Sequence, residues 1–159
     1  MILRSIISRN NNVSNVGVMH YTHSIPQILA VAIGIKDADL LSEALINESS
    51  LKLQIKLLCR TLPDAQSYNV IGELKGTELP NEIIVGGGHF DSWDKGDGAH
   101  DNGVGCIQSI KLLDLFKRLH IKPKRTIRCV FFSNEENGSR GGITYGRYAE
   151  TSHKKQLVN

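Results

Sequence analysis

The chain has 159 residues, 40% hydrophobic and 22% charged, the balance of one globular domain or a domain plus part of another, and too apolar for a disordered chain. Nineteen Lys+Arg against sixteen Asp+Glu give a net charge of +3 that is not gathered into a stripe, so neither nucleic acid nor a membrane surface is indicated as a partner. The longest apolar run, residues 28–35, is too short to span a bilayer, and Ile6 and Ile7 are followed at once by Ser8 and Arg9, leaving no apolar region of a signal peptide. Cys59, Cys106 and Cys129 show no CxxC spacing and read as small buried hydrophobes, so cysteine usage sets no redox compartment.

In chain order, residues 2–7 read as a short strand and 9–24 as polar, irregular chain. The continuous apolar run 28–33 reads as a buried strand. Asp37 is placed to cap a helix over about 38–46, with Leu40, Leu41, Ala44 and Leu45 on one face. Residues 51–57 alternate strictly and read as a half-buried strand; 67–74 are β-like, and 75–81 form a turn. The second half is more regular. A buried strand over 82–85 ends in three glycines, and a polar loop, 90–100, follows. Asp101 opens a helix that reaches about His120, with Val104, Ile107, Ile110, Leu112, Leu113, Leu115, Phe116 and Leu119 on a broad apolar face. Residues 126–132 form a strong strand, 133–142 a glycine-containing loop, and 143–151 a helix. Strand, loop, helix, repeated twice over 82–159, predicts an α/β fold with a parallel sheet. In such sheets ligands bind beyond the carboxyl ends of the strands, the edge from which both loops leave.

Three groups on that edge carry chemistry. In His89-Phe90-Asp91, residues i and i+2 of an extended chain point the same way, so Asp91 can accept the Nδ1 proton and leave Nε2 for a metal. The motif is weak alone; a surface histidine beside a turn aspartate is the alternative. Asp101 is a natural helix cap, but the crowd of Gly96, Gly98, Gly103 and Gly105 around it suggests more, since a carboxylate can bridge two cations about 3.5–4 Å apart. In Glu135-Glu136 adjacent side chains diverge, so one can bind a metal while the other takes a proton; a solvated acidic loop is the alternative. One histidine with several carboxylates on one sheet edge suits zinc or a similar divalent ion in a hydrolytic site. Gly86-Gly87-Gly88 is not a phosphate loop, because no Gly-Lys-Ser/Thr follows. His100 reads as a loop side chain beside Asp101, and the sequons at Asn12, Asn47 and Asn137 matter only on a secretory route.

The stretches Gly87-Gly-His-Phe-Asp-Ser-Trp-Asp, Gly98-Ala-His-Asp-Asn-Gly-Val-Gly and Lys122-Pro-Lys-Arg-Thr-Ile-Arg-Cys-Val-Phe-Phe-Ser-Asn-Glu-Glu-Asn-Gly, in this order and spacing, resemble metallopeptidase family 28 and its carboxypeptidase Q branch. The resemblance implies a three-layer α/β/α zinc-exopeptidase sheet, partial here over residues 66–159. It also implies that residues 1–65 are the C-terminal part of an inserted protease-associated (PA) domain. By resemblance His89 binds one zinc and Asp91 orients it, Asp101 bridges two zincs, Glu136 binds the second and Glu135 is the general base. Ser92, Trp93 and Asp94 shape the edge of the site, and Asn102 stands where many relatives have a second aspartate.

The family pattern needs two further ligands, an aspartate after the next strand and a distant histidine, for which His153 lies in the wrong segment. The chain therefore reads as an internal piece of that architecture, expected by itself to bind zinc weakly and to be inactive. The implied activity is hydrolysis of short peptides by a metallo-exopeptidase, with a homodimer allowed and a secreted, lysosomal or periplasmic setting. The alternatives are an aminopeptidase on the same scaffold and a non-catalytic interaction protein built on the fold.

Overall fold

The computed structural model describes residues 1–5, 12–14, 21–60, 62–93, 96–152 and 155–158, the last four by backbone alone. The chain divides into two compact units, Met1–Pro63 and Asp64–Asn159. In the first, β1 (Ile2–Arg4) pairs in parallel with β2 (Val31–Ile33), and α1 (Ile35–Asn47) follows β2 after one residue. The apolar run 28–33 is thus a strand only where β1 offers a ladder; Ile28 and Leu29 are exposed. Ile6 and Ile7 lie outside the described residues.

Asp37 does not cap α1. Gly34 occupies the cap position, and Asn12 provides what the local sequence does not: its Oδ1 accepts the Asp37 N–H at 3.2 Å and its Nδ2 donates to the Asp37 carboxylate at 3.0 Å. The inner face of α1 runs through Ile35, Ala38, Leu41 and Ala44, leaving Leu40 and Leu45 exposed. Residues 51–57 form no strand; among the described residues nothing pairs with them, and alternation without a ladder partner buries little.

The second unit holds a four-stranded sheet in the order β3-β5-β4-β6, made of β3 (Val70–Leu74), β4 (Leu79–His89), β5 (Arg125–Phe132) and β6 (Lys155–Val158). β5 and β6 lie parallel to β4, and β3 closes one edge antiparallel to β5. The helix α2 (Val104–Arg118) connects β4 to β5, and α3 (Arg140–Thr151) follows β5. β4 does not stop at Val85. It continues through Gly86, Gly87 and Gly88, paired with Cys129, Val130 and Phe131, because β5 still offers ladder groups there. His89 is therefore the last residue of the strand.

β5 is the spine of this unit: Thr126 to Val130 are all buried, and Val130 and Ile83 have no exposed surface. Neighbouring side chains of a strand point to opposite faces. Arg128 reaches Tyr145 of α3, while the thiol of Cys129 faces Ser109 and Cys106 of α2. The two helices thus cover opposite faces, the three-layer α/β/α arrangement the family resemblance implies. Cys106 and Cys129 are buried, which raises both thiol pKa values, but Cys59 is exposed and is no core residue. α2 buries a narrower stripe than its sequence suggests: Cys106, Ser109, Leu113 and Phe116 turn inward, and Ile107, Leu112, Leu115 and Leu119 stay exposed. Among the described residues no helix is long and apolar enough to cross a membrane.

On the α3 face a guanidinium lies in the interior. Arg128 is 3% exposed; its Nε donates to Glu73 at 2.7 Å, its Nη2 lies 2.5 Å from the same carboxylate, and its Nη1 donates to the Tyr145 hydroxyl at 3.0 Å. The rings of Tyr145 and Tyr148 lie 5.9 and 6.0 Å from it.

Candidate metal centre

His89 closes the carboxyl end of β4 and is 6% exposed. Its Nδ1 lies 3.0 Å from the Asp91 main-chain oxygen and its Nε2 lies 2.9 Å from Asp101 Oδ1. A carbonyl oxygen can only accept, so Nδ1 carries hydrogen and Nε2 is the nitrogen turned to the site. The Asp91 carboxylate stands at 3.6 Å from Nδ1 and is committed elsewhere: it accepts the N–H of Glu135 at 3.0 Å and of Glu136 at 3.1 Å. Asp91 thus orients the imidazole through its backbone, and its side chain draws the Glu135-Glu136 loop to the end of β4.

Burial alone pulls the His89 pKa down. The Asp91 carbonyl, the Asp101 carboxylate and the nearby Glu135 charge outweigh it and hold the imidazolium above its usual 6.5.

Asp101 lies in a wide turn, Ala99–Gly103, with extended φ −115° and ψ 92°; its peptide bond to Asn102 is cis. Its carboxylate is turned to His89 rather than to the first amides of the helix, so the expected cap role falls to a different residue. α2 begins at Val104, and Asn102 Oδ1 accepts the Gly105 N–H at 3.1 Å. Relieved of capping, Asp101 keeps its carboxylate for the site, 75% exposed and directed at His89. Of the surrounding glycines, Gly98 is required sterically: its φ is +62°, and a Cβ there would lie 2.7 Å from the Ser92 side chain. Gly96 has room.

Glu135 and Glu136 follow β5. Glu135 Oε2 approaches His89 Nε2 to 3.8 Å, and ligand atoms of His89, Asp101 and Glu136 all lie within 4.8 Å of one another. Zinc bound at about 2.0–2.2 Å to each donor needs the donors of one ion roughly 3–4 Å apart, so a nitrogen and two carboxylates this close are chemically suited to divalent ions, whether they share one or divide over a neighbouring pair. Trp93 is half-buried, and its carbonyl accepts the Gly96 N–H at 3.0 Å; Ser92 Oγ donates to the Gly96 carbonyl at 3.2 Å. His100 is exposed, and Asp94, His20 and His153 lie outside the described residues.

Two supporting residues carry no signal in the sequence. Cys106 Sγ donates to the His89 carbonyl at 3.2 Å, and Asn69 bonds the stems of the Glu135-Glu136 loop. Their partners are distant in sequence, and neither residue type marks such a role.

The model of peptidase family M28 matches residues 69–159. The chain belongs to peptidase family M28. Human carboxypeptidase Q is 34% identical over 158 residues, 99% of this chain and 33% of that protein. Carboxypeptidase Q of Xenopus laevis is 35% identical over the same length and shares. The crystal structure of a peptidase M28 precursor from Shewanella amazonensis SB2B superposes with a TM-score of 0.81 at 35% identity, covering 99% of this chain and 36% of that one. This M28 chain thus spans about one third of the length of the curated relatives it matches.

Proposed function

We propose that this M28 chain supplies the His89, Asp101 and Glu136 ligands and the Glu135 base of a zinc-dependent exopeptidase acting on short peptides. The observation that carries the reading is the convergence of an imidazole and two carboxylates, from three segments of chain, within 4.8 Å at the carboxyl edge of the sheet. The likeness to carboxypeptidase Q over 99% of the chain supports peptide-bond hydrolysis and favours cleavage from the carboxyl end. On this reading residues 66–159 belong to the catalytic domain and residues 1–65 to the end of a PA-type insertion.

Bound zinc supplies a Lewis acid that polarises the scissile carbonyl and acidifies water to a pKa of about 7. His89, Asp101 and Glu136 would hold the two ions, Asp101 shared between them. Glu135 takes the proton of the attacking water and returns it to the leaving amine. Asp91 holds the imidazole and the acidic loop in register. Among the described residues this leaves two donors per ion, short of the usual three or four, so weak zinc binding is expected of this chain.

Equilibrium dialysis of the chain with zinc at neutral pH is expected to show weak uptake that His89→Ala and Glu136→Gln abolish. Uptake falls as the pH drops through the raised His89 pKa, because a proton then competes for Nε2. A wild-type chain that takes up no zinc would refute the metal assignment, and tight binding of two ions would refute its weakness. A protein of the relatives' full length carrying this sequence is expected to hydrolyse N-acetyl dipeptides and spare dipeptide amides. The reverse pattern assigns an aminopeptidase.

A further inference from the structure

We propose that Asn69 is a positioning residue of the centre: its single amide clamps both stems of the loop that presents Glu135 and Glu136. The inference rests on the metal reading above for its functional consequence, though not for the clamp itself.

Asn69 lies one residue before β3. Because Val70 pairs with Phe131, one further step of the antiparallel register sets Asn69 beside the end of β5, where the acidic loop departs. Its Oδ1 accepts the Ser133 N–H at 3.0 Å, and its Nδ2 donates to the Gly141 carbonyl at 2.8 Å. The stems also join directly, the Gly141 N–H donating to the Ser133 carbonyl at 3.0 Å. A primary amide presents a donor and an acceptor side by side, which a carboxylate or a hydroxyl at this spacing does not reproduce. The fit is close. A Cβ on Gly141 would lie 2.3 Å from the Ser133 oxygen and 2.5 Å from Asn69 Oδ1.

The loop needs this restraint. Between its stems Asn134, Gly138 and Ser139 have φ of +58°, +118° and +54°. Left-handed backbone at non-glycine residues persists only where its surroundings over-determine it. Asp91 holds the tip through the amides of Glu135 and Glu136, and Asn69 holds the base. Releasing the base frees the tip to leave His89 and Asp101.

The test is amide hydrogen exchange on the chain with zinc dialysis in parallel. In Asn69→Ala, the Ser133, Glu135 and Glu136 amides are expected to exchange about ten- to hundredfold faster, with Ile83 and Val130 unchanged, and zinc uptake falls with them. Asn69→Asp keeps the acceptor, so Ser133 stays protected, while its charge faces the Gly141 carbonyl and zinc uptake still drops. Unchanged loop amides overturn the clamp. Uniform acceleration, strand interiors included, also overturns it, since Asn69 would then serve global stability alone. Local acceleration with zinc uptake intact overturns the positioning role. If the wild type takes up no zinc, the metal reading fails while the exchange pattern still decides the clamp.

Discussion

Glu135→Gln, in a protein of the relatives' full length carrying this sequence, is expected to retain its zinc and lose roughly 10²–10⁴ in kcat, the scale of a general base. The geometry separates this residue from its neighbour. Glu135 is attached to the site through its backbone N–H, bonded to Asp91 at 3.0 Å, and its half-exposed carboxylate approaches His89 without belonging to the tight donor group. Glutamine preserves the shape and that backbone bond, so His89, Asp101 and Glu136 keep their places. It removes only the capacity to accept a proton. Glu136→Gln removes a metal donor instead, so its activity loss comes with a loss of bound zinc. Metal analysis beside steady-state kinetics distinguishes the two. A Glu135→Gln protein that keeps its kcat, or that loses zinc, rules out the base assignment.

The second large effect is on stability. Glu73→Gln is expected to destabilise the chain by about 2–3 kcal/mol, read from urea unfolding. It strands the Arg128 guanidinium, 3% exposed, without its counter-charge. The figure lies below the 3–5 kcal/mol typical of a fully buried pair because the Glu73 side chain is 36% exposed and water screens part of the interaction. Removing both charges is expected to cost much less: the Glu73→Leu, Arg128→Met double variant should recover to within about 1 kcal/mol of wild type, since apolar groups of similar volume need no counter-ion. A single variant as stable as wild type would show that the Tyr145 hydroxyl and the two rings suffice to hold the guanidinium.

The residues of the candidate site are legible to the extent that they sit in contiguous motifs. His89 with Asp91, Asp101 among glycines, and Glu135 with Glu136 are each local, and each follows an element whose periodicity marks it. Most of what was misread turns on contacts outside the local segment. Asp37 and Asp101 both looked like helix caps, because capping is scored from neighbours. Asn12 serves the first helix from 25 residues upstream, and the Asp101 carboxylate turns to His89, leaving the second to Asn102. The alternating segment 51–57 looked like a strand because alternation describes a half-buried ladder without supplying one. The glycines ending β4 looked like a strand terminus; pairing with β5 carried the strand on to His89.

The α/β class, the parallel pairing of β4 with β5, and the residue types of a divalent-ion hydrolase were determined by the sequence alone, because hydrophobic period and motif spacing are local quantities. Tertiary structure alone decided which oxygen of Asp91 meets His89, which residue caps α2, and how Asn69 and Asp91 together hold the glutamates. A hydrogen bond is made over about 3 Å in space, whatever the separation along the chain.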